Sequence, residues 1–425
     1  MTVRAHATTG LALLLALAGA ADAQTAPSAP AVEAAPRLAD VDAALQPLVK
    51  SGQLSGAVMV IYRGGRLIHA SALGQRDLAS ATPMTIDTIF RAYSMTKPVT
   101  AVAMMILYDE GKWRLEDPVA KFLPEFADIK VFKGMGSDGK PILEAPASPP
   151  TMGQLMTQTA GFSYGFAQGY VDDRYRAADI WSAANMDDFV RRIAAIPLAY
   201  QPGTQWRYSV SVDLQGAIVE RLSGKKLGDF MRERIFEPLG MDDTGFFVPP
   251  AKWSRLASLY GWADDRLQQI PSPFAMTFAA EPAFASGGGG LVTTAGDYAR
   301  FGRMLLGKGA LDGARVLSAA SAEAIMTSHL PPALIPRGFG IGFQGLRPGY
   351  EYGFDGVVVT DPAAAHVAVG RGTYLWDGAA GTWFWVDPEN QLVFVGMVQR
   401  LMGPGFPSLQ PLAQGAVRTA LTRRR

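Results

Sequence analysis

Residues 94–111 read SMTKPVTAVAMMILYDEG, from Ser94 to Gly111. Apolar residues at Val99, Val102 and Ile106 repeat on one face of a helix, which makes this a core helix, and Gly111 supplies a residue able to end it. Because a helix sets Lys97 one turn after Ser94, the spacing predicts an amine near a hydroxyl. A serine hydroxyl is a weak nucleophile and needs a neighbouring base, so Ser94 and Lys97 are a candidate catalytic pair. The pattern recurs at Ser137-Asp138-Gly139-Lys140, inside the Gly-rich run KGMGSDGKP, and at Ser223-Gly224-Lys225-Lys226, where Gly224 should end a helix. Neither begins an apolar helix. A lone serine at a helix start is most often an N-cap; for Ser94 the decision rests on what accompanies it.

Working outward, Ala57 to Tyr62 and Leu67 to Ala72 are short apolar runs separated by the turn Arg63-Gly64-Gly65-Arg66, which predicts a β-hairpin. At the far end, Thr382 to Val386 and Leu392 to Gln399 flank Asp387-Pro388-Glu389-Asn390, again two strands and a turn, and Leu412 to Leu421 closes the chain as a helix. Between them lie helical segments such as Ser211 to Leu222, ended by Gly224, and Ala295 to Leu306, ended by Gly307. The expected class is α+β: an antiparallel sheet built from both chain ends, about 38–90 and 338–425, flanked by helices, with a helical region from about 91–337.

Two further pieces accompany Ser94. Tyr208-Ser209-Val210 stands just before the helix from Ser211, and a phenol beside a cationic lysine is expected to ionise more readily and to serve as a base toward a serine. Trp376-Asp377-Gly378-Ala379 precedes the strand from Thr382; its glycine permits close backbone approach, and a strand-edge N–H can donate to a developing oxyanion. Taken alone, each also reads as ordinary packing. Phe162, Tyr164, Phe166, Tyr170, Tyr175 and Trp181 are equally compatible with a pocket lining or with packing under a long loop.

Taken together, these pieces resemble the serine β-lactamase and penicillin-binding-protein superfamily, specifically the class C β-lactamase-like carboxylesterases known as family VIII. The resemblance runs from about Val41 to Gln399 and includes Leu155-Met156-Thr157-Gln158-Thr159-Ala160-Gly161-Phe162, Phe236-Glu237-Pro238-Leu239-Gly240-Met241 and Gly287-Gly288-Gly289-Gly290-Leu291-Val292-Thr293-Thr294. It implies a β-lactamase/transpeptidase-like fold, a nucleophile at Ser94, a base shared by Lys97 and Tyr208, and an oxyanion hole from the N–H groups of Ser94 and Ala379. Tyr164, Phe166, Val210, Trp376 and Gly378 are then expected to contact a small ester substrate. Where the lactam-directed members carry Lys-Thr-Gly, this chain has Trp376-Asp377-Gly378, and no Lys-Thr-Gly occurs anywhere. Without that carboxylate-holding lysine, and with Val210 in place of an amide-contacting asparagine, the expected substrate shifts from lactam toward ester. The related esterases carry Trp-Gly-Gly, so Asp377 is a departure with no assigned role.

Other readings compete. Gly161-Phe162-Ser163-Tyr164-Gly165 matches the nucleophile elbow Gly-x-Ser-x-Gly, but the elbow needs a strand before its serine. Met152 to Thr157 reads instead as a short helix. A β-lactamase or D-amino-acid peptidase on the same fold, and a non-catalytic cell-wall or polymer binder, are the remaining alternatives. The histidines at 6, 69, 329 and 366 show no metal-ligand spacing, and no metal or cofactor is implied. A formal net charge of +1, with no basic run except Arg423-Arg424-Arg425, offers nothing to nucleic acid.

The leader Met1-Thr2-Val3-Arg4, the apolar run Leu11 to Ala20 and Ala21-Asp22-Ala23 together form a signal-peptide pattern. The run is too short for the roughly 20 residues of a membrane span. Residues 1–23 are therefore expected to be removed, 24–37 (QTAPSAPAVEAAP up to Pro36) to form a flexible leader, and 38–425 to form the hydrolase domain in the periplasm or secreted. With no cysteine there is neither a disulfide framework nor a lipid-attachment site, so no membrane anchor is expected to remain.

Overall fold

The computed structural model describes residues 38–273, 276–331, 333–334, 339–341, 344–346 and 348–422. The expected signal peptide and leader, residues 1–37, lie outside that range, as does the Arg423–Arg425 terminus. Among the described residues no helix is long and apolar enough to cross a membrane.

Eight strands form one sheet: β1 (Gly56–Arg63), β2 (Arg66–Asp77), β3 (Thr82–Pro83), β4 (Tyr350–Tyr352), β5 (Val357–Val359), β6 (Thr373–Asp377), β7 (Trp383–Asp387) and β8 (Leu392–Met397). Their order, β4-β5-β6-β7-β8-β1-β2-β3, joins the two chain ends through antiparallel pairing of β1 with β8, in which Val60 faces Val395. The β1–β2 turn needs left-handed backbone at both central positions; Gly64 and Gly65 supply it with φ of 55° and 77°. The expected α+β class and β-lactamase/transpeptidase-like fold are present.

The central strands are covered on both faces, which is why β8 (LVFVGM) is apolar throughout rather than alternating. Val393 meets helix α4 (Ala295–Leu306), whose Gly302 leaves no room for a side chain: an added Cβ would lie 2.6 Å from Val393. Neighbouring Phe394 points the other way and stacks on Trp385 at 4.0 Å. That face carries the paired helices α1 (Ala39–Lys50) and α5 (Leu409–Thr422).

The chain between the two sheet halves contains the helices read from its sequence, α2 (Thr96–Asp109) and α3 (Ser211–Ser223) among them, and also hairpins that were not, two of which have strands of four or five residues. These pair Val131–Met135 with Pro141–Glu144 and Tyr260–Ala263 with Arg266–Gln269. Both are short and, Val131 and Tyr260 aside, partly or fully exposed, so they lack the apolar alternation that marks a half-buried strand. Ser137 sits exposed in the first hairpin's turn, and Ser223 ends α3 against Gly224 at φ 69°.

Candidate active site

Ser94 occupies a single 3-10 turn, Tyr93–Met95, that runs straight into α2. Tyr93 is held at φ 45°, a left-handed backbone that non-glycine residues seldom adopt, so the surroundings impose the turn's geometry on the serine. Ser94 caps nothing: the residue before the helix is Met95, and no side chain caps it. From the first turn of α2 the fully buried Lys97 returns its amine to 3.4 Å from Ser94 Oγ. Tyr208 OH lies 2.6 Å from the same oxygen.

Tyr208 belongs to an irregular segment ahead of α3 and is fixed by its neighbours. The Arg207 N–H donates to Gln158 O, the Ser209 N–H and Oγ donate to Gln158 Oε1 at 3.0 and 2.7 Å, and the Val210 N–H donates to Ser163 O. The Leu155–Phe162 motif thus acts as a template for Tyr208.

Four residues, Tyr164, Asp213, Ser286 and Gly288, complete the network. Lys97 donates to Gly288 O at 2.6 Å and to Tyr164 OH at 3.2 Å. Tyr164 OH in turn donates to Asp213 Oδ2 at 2.9 Å, while Asp213 Oδ1 accepts from Ser286 Oγ and the Gly288 N–H. Gly288 must be glycine: a Cβ there would lie 2.4 Å from Asp213 Oδ2 and 2.5 Å from Tyr164 OH.

Burial decides the electrostatics. It pushes the Lys97 amine down to about 8, against the pull of Asp213, Asp355 and Asp377, which favour its charged form. It also pushes Tyr208 above an ordinary phenol, which the Ser94 hydrogen bond only partly offsets. The expected easy ionisation of Tyr208 is therefore reversed: desolvation outweighs the nearby cation, and the lysine is the more readily deprotonated member.

Ser94, Tyr208, Tyr164, Phe166, Trp181, Trp206, Trp376 and Ala379 line one cavity of about 900 Å³. Tyr164 was expected only to touch substrate; its ring does face the cavity and stacks on Phe166 at 4.8 Å, but its hydroxyl joins Lys97 to Asp213. Two expected contacts are corrected. Val210 is wholly buried in the main core, where its apolar side chain is fully removed from water, and it does not line the cavity. Gly378 also stays out of the lining, because a Cβ would fall 2.2 Å from Ala92 O: it lets β6 close on the nucleophile's loop. Of the other aromatics, Phe162 packs on Phe126, Tyr170 on Phe132, and the Tyr175 hydroxyl accepts from the Ser163 N–H.

Ser163 reaches the cavity wall, but its hydroxyl donates to Asp172, which is paired with Arg207 at 2.6 Å. No histidine lines the cavity among the described residues. His69 contacts Asp42, and His329 lies against Ala324 O.

Residues 41–417 match the protein-family model described as Beta-lactamase. Protein Rv1367c of Mycobacterium tuberculosis is 36% identical, the alignment covering 84% of this chain and 88% of that protein. Esterase EstB of Burkholderia gladioli is 32% identical, over 85% of this chain and 90% of its own. Among solved structures, EstCE1, described as a hydrolase with promiscuous acyltransferase activity, superposes with a TM-score of 0.76 at 26% identity, covering 90% of this chain and 99% of its own. With a family model spanning nearly all of the described chain and such relatives matched over most of their length, this protein belongs to the beta-lactamase family, on the side of its family VIII carboxylesterase-type members.

Proposed function

We propose that the protein is a serine carboxylesterase that cleaves small carboxylic esters through an acyl-enzyme on Ser94. One observation carries the reading: Ser94 Oγ stands 2.6 Å from a neutral phenol and 3.4 Å from a buried amine whose proton affinity is lowered to about 8, on the wall of a cavity rich in aromatic side chains.

In the first half-reaction neutral Lys97 accepts the Ser94 proton as Oγ attacks the ester carbonyl. The oxyanion is met by the backbone N–H groups of Ser94 and Ala379, each worth about 3 kcal/mol in comparable sites. The tetrahedral intermediate collapses with the C–O bond to the alcohol breaking. Tyr208 OH donates its proton to the departing alkoxide and recovers one from Lys97, which restores both groups. Water then adds to the acyl-enzyme with the same proton route reversed, releasing the acid and Ser94. An alcohol in place of water would give acyl transfer, an activity ascribed to EstCE1. The names of EstB and EstCE1 support the hydrolytic reading, and replacement of Lys-Thr-Gly by Trp376-Asp377-Gly378 favours esters over lactams.

Incubation with a short-chain p-nitrophenyl ester and quenching for intact mass tests this. An acyl adduct on the wild type and none on Ser94→Ala is expected; a nitrocefin rate well above the ester rate would instead select the β-lactamase reading. The leader pattern extends the proposal to an exported enzyme, checked by whether the mature protein recovered from the producing cells begins after Ala23.

A further inference from the structure

Three charged side chains line the catalytic cavity among the described residues: Asp172, Arg207 and Asp377. The first two neutralise each other at 2.6 Å, and Asp172 accepts further bonds from Ser163 Oγ and the Ala167 N–H. The Asp377 carboxylate has neither a hydrogen bond nor an ion pair among the described residues, its backbone alone being paired, opposite Trp383. Lys97 exerts a field on it, but that amine is already committed to Gly288 O, Tyr164 OH and Ser94 Oγ. Asp377 keeps some surface toward the cavity, yet its surroundings withhold enough water to push the carboxyl up to about 6. Above that value it is ionised, so at neutral pH the wall carries a negative charge that the field of Lys97 only partly offsets. A desolvated carboxylate without a partner is costly, and a ligand group is the partner this place leaves open.

Position gives the charge a use. Asp377 ends β6 between Trp376, whose ring lies 5.9 Å from that of Tyr208, and the wall residue Ala379. We propose that Asp377 is a specificity residue that favours esters carrying an ammonium group near the scissile bond and disfavours esters carrying a carboxylate there. The inference rests on the esterase reading above. Attraction and exclusion come from one charge: a cation entering the cavity meets it without having to displace a resident counter-ion, while an anion meets a like charge at low dielectric.

Matched ester pairs test it on the full chain, above the Lys97 titration, where Asp377 is ionised. Acetylcholine against 3,3-dimethylbutyl acetate varies charge at constant shape on the alcohol side. The ethyl ester of γ-aminobutyrate against ethyl pentanoate does so on the acyl side. The expected result is a kcat/KM ratio of about tenfold or more for the cation in at least one pair. Asp377→Asn should bring that ratio toward one, and Asp377→Glu should retain most of it. Hydrolysis with no preference in either pair overturns the proposal while leaving the esterase reading intact; no hydrolysis of any ester sinks both. An equal fall on both members of a pair in Asp377→Asn, with the ratio kept, also overturns it and reduces Asp377 to a positioning charge on Lys97.

Discussion

Ser94 and Ser163 stand on the wall of the same cavity, both in segments whose sequence matches a nucleophile motif, yet their chemical settings are opposite. Ser94 is bonded to a phenol and lies beside an amine that burial has made easier to deprotonate. Ser163 donates to a carboxylate that Arg207 already neutralises, and that accepts a backbone N–H as well. A carboxylate so paired gains little from another proton, so it orients the hydroxyl without activating it. Short motifs mark where a serine is presented. Partners from elsewhere in the chain decide whether it reacts.

The sharpest break between the two is substitution. Ser94→Ala is expected to lower ester kcat/KM by at least ~10⁴-fold, while Ser163→Ala changes it by less than about threefold, in parallel assays of both proteins. The reverse pattern would transfer the nucleophile to Ser163. Lys97→Met should cost about 10³-fold or more, since it removes the proton acceptor from Ser94, and Tyr208→Phe about 10²-fold, since it removes the donor to the leaving alkoxide. Single-turnover rates separate chemistry from substrate binding in both.

Titration sharpens the comparison further. Because the neutral amine is the working form, kcat/KM should rise with pH through about 8 and level off above it. Asp213 favours the charged amine, so Asp213→Asn should move that limb to lower pH. A limb unmoved in Asp213→Asn would detach Lys97 from the step. The smallest effect belongs to Ser163 itself: losing its bond to Asp172 should reduce unfolding stability by about 1 kcal/mol, read from urea midpoints, with the catalytic pH profile unchanged.

Much of this was legible beforehand. The helix carrying Lys97, the Gly64-Gly65 hairpin, the stop at Gly224 and the union of both chain ends in one sheet follow from patterns that local chemistry imposes. The hairpins at Val131–Glu144 and Tyr260–Gln269 did not, because exposed two-stranded pieces lack a buried face to write into the sequence. Nor did Asp213, or the hydroxyl of Tyr164 as a link to Lys97, carry any local signal. Val210 and Gly378 read as substrate contacts until packing placed one in the core and the other against Ala92.

By itself the amino-acid sequence determined which residues could react, because Ser94 and Lys97 are three positions apart and a helix turn suffices to join them. Tertiary structure alone decided how they would react. Gly288 meets Lys97 across 191 positions and Tyr208 meets Ser94 across 114, and only the folded core withdraws the water that brings the lysine's proton affinity down while raising the tyrosine's. Proton affinity is a property of surroundings, and in this protein the surroundings are assembled from segments distant along the chain.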